Sequence, residues 1–369
     1  MVPDIEKNDK RYHFLINGWR IITFVSFLIF PSLLSLSVGS QSSVAVIEAK
    51  KTMERADPFM GDWKGGWELD NEADSGSLVA QVIALGKGQY RAVLSNEFDT
   101  RREPIAVLDG RRDGAAVNFA GRTVLSDSGT ELEIQAAIKD GEFSGSFKGD
   151  QFGKFAVSKV IRLSPTLGAR PPDDAVVLFN GKDFKEWKHP NKKEDEDKVK
   201  WELVDGAMKV KPRTGSIITR KQFTDVKLHI EFRTPFMPEK RGQGRGNSGV
   251  YLQGRYEVQV LDSYGLEGLD NECGGIYKVG PPLVNMCAPP RQWQTYDITF
   301  RAPRFDGTGN SINKPTLTVV HNGVKVHDKT EVLGSTTASL GGKASEPGGI
   351  YLQDHGNAVE FRNIWLIEL

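Results

Sequence analysis

Two short stretches of the chain hold side chains that could move protons. In YEVQVLD, Tyr256 to Asp262, period-2 alternation sends Tyr256, Val258 and Val260 one way and Glu257 and Gln259 the other, so an acid and an amide share a strand face. In LQDHGN, Leu352 to Asn357, Gln353, Asp354 and His355 gather at a strand end beside Gly356, holding an imidazole at a rim with a carboxylate neighbour. Imidazole and carboxylate are the usual carriers for general acid and base work. A third stretch, VKLHIEFRT, points Val226, Leu228, Ile230 and Phe232 inward and His229, Glu231 and Arg233 outward, and Glu360 and Arg362 likewise oppose Val359 and Phe361.

A polar sheet face can simply be wet, since antiparallel sheets commonly keep one side in water. The segments around Glu257 and His355 contain no lysine, however, and use Gln, Asn, Arg, Glu and Tyr, a set suited to directional bonds with hydroxyls. Tyr251 and Tyr351 occupy matching positions in the related runs GVYLQ and GIYLQ. Of the six histidines, His13, His189, His321 and His327 fall at incidental places, and His229 lies mid-strand. Only His355 stands where a catalytic or ligand residue would.

The elements that must carry these residues are strands. Runs such as SLVAQVIAL, GQYRAVLS and TELEIQAAI alternate between Gly and Asp turns from residue 59 to 163, and predict a small antiparallel barrel or sandwich. SPTLGARPPDDA, opening at Ser164, reads as a linker over 164–174. From 175 to 369 the strand runs are dense, with Asp-Gly and Asn-Gly hairpins in WELVDGAMKVK and LTVVHNGVKVH. About ten strands without intervening helices indicate two antiparallel sheets face to face in jelly-roll style. The fold class expected is therefore all-β.

At 369 residues the chain exceeds a typical single domain. Lys+Arg and Asp+Glu balance at 48 each, which gives no electrostatic case for nucleic acid or an anionic membrane and favours a neutral polar small partner. The apolar run Ile21 to Leu36 follows Lys10, Arg11 and Arg20 and precedes small residues, the layout of an export signal over 1–43 with a tether over 44–58. Pro31 and a run shorter than the roughly 20 residues of a membrane span disfavour a permanent helix, although an uncleaved anchor is the alternative. Export to the periplasm or the extracellular space follows, with membrane contact only through that segment. Cys273 and Cys287 could form a disulfide worth roughly 3 kcal/mol in the chain-entropy model. They could equally be separate buried thiols, and two cysteines at this spacing are a poor zinc signature.

Five segments in order, LFNGKDFKEWK, NSGVYLQGRYEVQVLDSYG, CGGIYKVGPP, QWQTYDITFRAPRFD and GGIYLQDHGNAVEFRNIWL, together resemble the 3-keto-disaccharide hydrolase family over roughly 175–369. The resemblance implies a concanavalin A-like jelly-roll sandwich with a sugar site. It also implies cleavage of a glycoside already oxidised at C3, by C2 proton abstraction, β-elimination at C1 and hydration. Such chemistry needs a base near C2, an acid near the glycosidic oxygen and donors or a cation on the enolate. Carried onto this chain, Glu257 and His355 are the acid and base in unassigned order, with Glu231, Gln259 and Asp262 close by. Asn247, Arg255, Tyr277, Gln353, Asp354 and Arg362 would hold hydroxyls or the ketone, and one divalent cation could bind among the His and carboxylates.

Two other readings compete. YEVQVLD is also similar to a degraded laminarinase signature, in which Glu257, Gln259 and Asp262 stand at places held by Glu, Asp and Glu. A retaining glycosidase needs paired carboxylates about 5 Å apart, and the amide at Gln259 argues against that. A noncatalytic lectin-like module is the other, and it would want exposed rings among Trp187, Trp201, Trp293 and Trp365 for stacking on sugar.

Overall fold

The computed structural model describes residues 55–70, 74–125, 129–150, 152–191 and 198–369, with Ile47 and Thr52. The export segment and most of the tether lie outside the described residues, as does most of the charged loop after Asn191.

Strands β1 (Gly61–Leu69), β2 (Ser75–Gly86), β3 (Gln89–Ser95), β4 (Ala106–Asp113), β5 (Ala116–Val124), β6 (Glu131–Lys139), β7 (Glu142–Lys148) and β8 (Phe152–Val160) pair in sequence order and close into a barrel. Of the two forms expected for this segment, the barrel is the one found. Alternation fills its centre with Trp63, Tyr90, Phe119, Phe143 and Phe155. The rings of Trp63 and Phe143 meet edge to face at 5.9 Å, so this interior is a packed core. Asp140 and Gly141 take φ of 52° and 83° at the β6–β7 turn, which is why a two-residue Asp-Gly connection suffices there.

Next come β9 (Val176–Phe179), β10 (Trp187–Lys188), β11 (Glu202–Val204), β12 (Ala207–Lys209), β13 (Ile217–Thr219), β14 (Val226–Arg233), β15 (Ser248–Leu252) and β16 (Tyr256–Val260). The chain ends with β17 (Gln294–Arg301), β18 (Arg304–Phe305), β19 (Ser311–Asn313), β20 (Thr316–His321), β21 (Val324–Glu331), β22 (Tyr351–Leu352) and β23 (Glu360–Glu368). The smaller sheet runs β10-β13-β22-β15-β16; the larger runs β11-β12-β23-β14-β17-β20-β21, with β9 also on β23. Both expected hairpins are present, with Asp205-Gly206 and Asn322-Gly323 at positive φ.

The two sheets enclose one core. Val250, Leu252, Val258 and Val260 from the smaller sheet join Ile230, Phe232, Ile298 and Phe361 from the larger, and the Tyr256 and Phe300 rings meet across the layers at 5.4 Å. Consequently the polar residues of β14 and those of β16 both point outward, but from opposite sides of the sandwich.

The barrel is fastened to this sandwich. Ile83 belongs to the sandwich core, and Phe236 packs on the barrel core. Buried Asp62 accepts the Tyr264 hydroxyl at 2.6 Å and Arg162 Nε at 2.9 Å. The expected linker is pinned across the outer face of the larger sheet, where Thr166 Oγ1 donates to Asp297 at 2.7 Å and Gly168 N to Glu231 Oε1 at 2.6 Å. Cys273 and Cys287 are free buried thiols, not a disulfide. Each has its own partner, the Tyr296 hydroxyl 3.2 Å from Cys273 Sγ and the Leu261 carbonyl 3.4 Å from Cys287 Sγ.

Candidate active site

Register places Glu257 opposite Tyr251, Tyr251 opposite Tyr351, and Gln259 opposite Gly249, so these residues share the outer face of the smaller sheet. Glu257 is 3% exposed. Burial pushes its pKa up to about 8, with the Tyr251 hydroxyl pulling the other way. A carboxyl with that pKa is mostly protonated at neutral pH and is therefore a proton donor. Burial and the neighbouring Glu257 in turn raise Tyr251, which stays a phenol.

Gly249 makes room for the acid. A Cβ at that position would lie 2.2 Å from Glu257 Oε1 and 2.8 Å from the Tyr251 ring, so the glycine is required by space. Gln353 Nε2 donates to the Tyr251 hydroxyl at 3.1 Å, and Tyr277 N donates to Glu257 O at 3.3 Å. Gln259, Asn247 and Gln243 form an amide cluster beside the carboxyl, with Gln259 Nε2 3.1 Å from Gln243 Oε1 and 3.4 Å from Asn247 Oδ1. His355 sits in the exposed turn two residues beyond Gln353.

The structure thus brings together Glu257, Gln259, Asn247, Tyr277 and Gln353, with His355 at the end of the same sheet. Glu231 and Arg362 do not join them. They pair with each other at 2.7 Å on the far face of the sandwich, beneath the linker. Burial would raise Glu231, but the bond from His229 and the charge of Arg362 hold it at about 2, a structural carboxylate. The Arg362 guanidinium lies 4.1 Å over the Trp293 ring.

Three other expected site residues are committed elsewhere. Asp262 is paired with Arg245 Nε at 2.6 Å in the interior. Arg255 donates to Gln253 Oε1 at 2.8 Å and to Glu346 O at 2.9 Å and 3.0 Å, clamping the loop ahead of β22. Asp354 Oδ2 accepts Thr214 N at 2.9 Å and Gly215 N at 3.0 Å, so it braces a neighbouring turn. Gln243, Tyr251 and Gly249 were not assigned roles by the sequence. Gln243 lies in an aperiodic Gly- and Arg-rich loop, where pattern carries no signal, whereas the alternation in GVYLQ does place Tyr251 on the polar face.

Among the described residues no three His, Cys, Asp or Glu side chains are grouped to hold a metal ion. The neighbours of Glu257 are amides and phenols, a set suited to hydroxyls. Trp187, Trp201 and Trp293 are buried, and Trp365 stacks on His229 at 4.9 Å, so these rings do not form the exposed platform a lectin would use. An open depression of about 1000 Å³ on the barrel, lined by Trp67, Gln135, Ser144, Gly145 and Phe155 among others, has no counterpart of the recessed acid. Among the described residues no helix is long and apolar enough to cross a membrane.

A two-layer antiparallel sandwich with a recessed carboxyl among amides and phenols defines the class: an all-β protein equipped for hydroxyl-rich molecules. Residues 174–367 match the family model of the 3-keto-alpha-glucoside-1,2-lyase-like domain, more than half of the chain, and the chain belongs to that family. Membership makes it a carbohydrate-active, glycoside-acting enzyme. Two solved structures from Parabacteroides distasonis ATCC 8503, each a "putative glycosyl hydrolase", are similar. The first shares 39% identity over 54% of this chain and 85% of its own, with a TM-score of 0.49. The second shares 22% identity over 53% and 94%, with a TM-score of 0.40. No curated protein matches the chain.

Proposed function

We propose that this enzyme, in an exported setting, cleaves glycosides already oxidised at C3, with Glu257 as general acid and His355 as base. The ketone acidifies the C2 proton, which the base removes to leave an enolate. Collapse of the enolate restores the ketone, forms the C1–C2 double bond and breaks C1–O. The departing oxygen takes its proton from Glu257. Water then adds across the double bond at C1, with a proton at C2, for net hydrolysis. Tyr277 and Gln353 would hold sugar hydroxyls, whereas the Asn247 amide is committed to Gln243 and Gln259.

The observation carrying this reading is a single recessed carboxyl, its pKa pushed up to about 8 by burial, on a sheet face lined with hydroxyl-binding side chains. An ordinary retaining mechanism would need a second, ionised carboxylate nearby. The corresponding positions hold the amide of Gln259 and the committed Asp262. The test offers a 3-keto-glucoside and its unoxidised parent side by side. Turnover of the oxidised sugar alone, reduced by about 100-fold or more in Glu257→Gln, is expected. Turnover of the parent would establish a conventional glycosidase, and binding of both without turnover would establish a sugar-binding module.

A further inference from the structure

The donors and acceptors around Gln259 point to a device that governs Glu257. Gln243 Nε2 donates to the Asn271 backbone carbonyl at 2.7 Å, an oxygen that can only accept, so Gln243 Oε1 is turned toward Gln259. Asn247 Nδ2 donates to the Gln243 backbone carbonyl at 2.9 Å and to Gln243 Oε1 at 3.0 Å, which leaves Asn247 Oδ1 as an acceptor. Gln259 therefore meets two pinned oxygens and presents its NH2 to both, at 3.1 Å and 3.4 Å. Its own oxygen is left 3.0 Å from Glu257 Oε1 and 3.1 Å from Ser248 O.

Two oxygens at that separation repel unless one carries a proton; the Glu257 carboxyl can, whereas the Ser248 carbonyl cannot. This orientation therefore keeps one opposed pair of acceptors where the turned amide would have two. Turning the Gln259 amide over would satisfy an ionised Glu257 and Ser248 O, but would set its oxygen against the two pinned acceptors. Amide orientation and carboxyl protonation are thus coupled. We propose that Gln243 and Asn247, acting through Gln259, are positioning residues that keep the Glu257 carboxyl protonated and ready to donate.

This rests on the reading of Glu257 as the acid. Burial already favours the neutral carboxyl, and the cluster acts in the same direction. The groups facing it are the phenols of Tyr251 from β15, Tyr351 from β22 and Tyr277 from the segment bonded to the β16 edge. Asp354 lies by Tyr351 with its carboxylate occupied, and Arg255 is held by its loop carbonyls.

The test is a 13C NMR titration of side-chain-labelled glutamate in the full chain, with Glu257→Gln assigning the resonance. Gln243→Leu and Gln243→Met remove the nearer of the two pinned acceptors, ease the turning of the Gln259 amide, and should lower the Glu257 pKa by about one unit, a tenfold loss of proton affinity. Gln243→Glu keeps an oxygen facing Gln259 and should leave the pKa at or above its wild-type value. An unchanged pKa in both apolar variants, or an equal fall in all three, overturns the proposal. Because titration is separate from turnover, a lowered pKa with unaltered turnover would keep the positioning role and remove Glu257 as catalytic acid. An unaltered pKa with turnover lost would refute the positioning role alone.

Discussion

Glu257 is costly to the folded state in a pH-dependent way. In the unfolded chain a glutamate titrates near 4.5, and in the fold this one titrates at about 8, so between those values the native state binds more protons. Stability must therefore fall as pH rises from about 4.5 to about 8. Glu257→Gln removes the penalty, and thermal or denaturant unfolding at pH 7 should show the variant more stable than wild type by up to about 3 kcal/mol. The gain should vanish below pH 4. The same residue illustrates what pattern alone can deliver. Alternation in YEVQVLD put Glu257 and Gln259 on one face, and they are found there, but the space above Gly249 that admits the carboxyl has no signature in the string of letters. Gly249→Ala would drive a methyl into Glu257 Oε1. Activity should drop on the order of 100-fold, while circular dichroism stays that of the wild type.

Strands explain where site expectations succeeded and failed. Period-2 alternation says which residues of a strand leave the core, and in a two-layer sandwich both layers have an outer side. Glu231 on β14 and Glu257 on β16 obey the same rule and end up on opposite surfaces, because only sheet order assigns a strand to a layer. The turns were legible for the opposite reason: Asp205-Gly206 and Asn322-Gly323 satisfy a local φ demand that needs no knowledge of the rest of the chain. Arg255 shows the limit once more, since its partners Gly341 and Glu346 lie far along the chain. The loop they belong to also sends Thr336 Oγ1 to accept Glu257 N at 3.0 Å and Thr337 O to accept the Tyr251 hydroxyl at 3.3 Å, so it covers the recessed acid. Arg255→Ala removes guanidinium bonds worth about 1 kcal/mol each. Hydrogen exchange over 334–346 should quicken by about tenfold or more, and the pKa of Glu257 should fall as water gains entry. Slow exchange equal to wild type would show that the loop holds without the clamp.

At the scale of the molecule, barrel and sandwich were both foreseen as strand-rich units, and the closed form of the first and the layered form of the second agree with that. Their attachment was not foreseeable, because Asp62, Arg162 and Tyr264 are scattered over 202 positions and meet only when both parts are folded. Asp62→Asn should cost on the order of 1 kcal/mol, since Tyr264 and Arg162 exchange a charged acceptor for a neutral one while Arg162 keeps Asp99 at 2.7 Å. Calorimetry of the intact protein should give one unfolding transition, and two well-separated transitions would refute the shared packing.

Ile83 buried in the foreign core, and Phe236 packed half-buried on the barrel in return, have a bearing on ancestry and engineering. A chain trimmed to the stretch the family model recognises would bare an oily scar where the barrel had been. Arg241, which donates to the Leu85 carbonyl at 2.9 Å, would be cut from its anchor just ahead of Gln243. Kin that dispense with the barrel should therefore have hydrophilic replacements at the positions of Phe236 and Tyr264, or some other neighbour to shelter them.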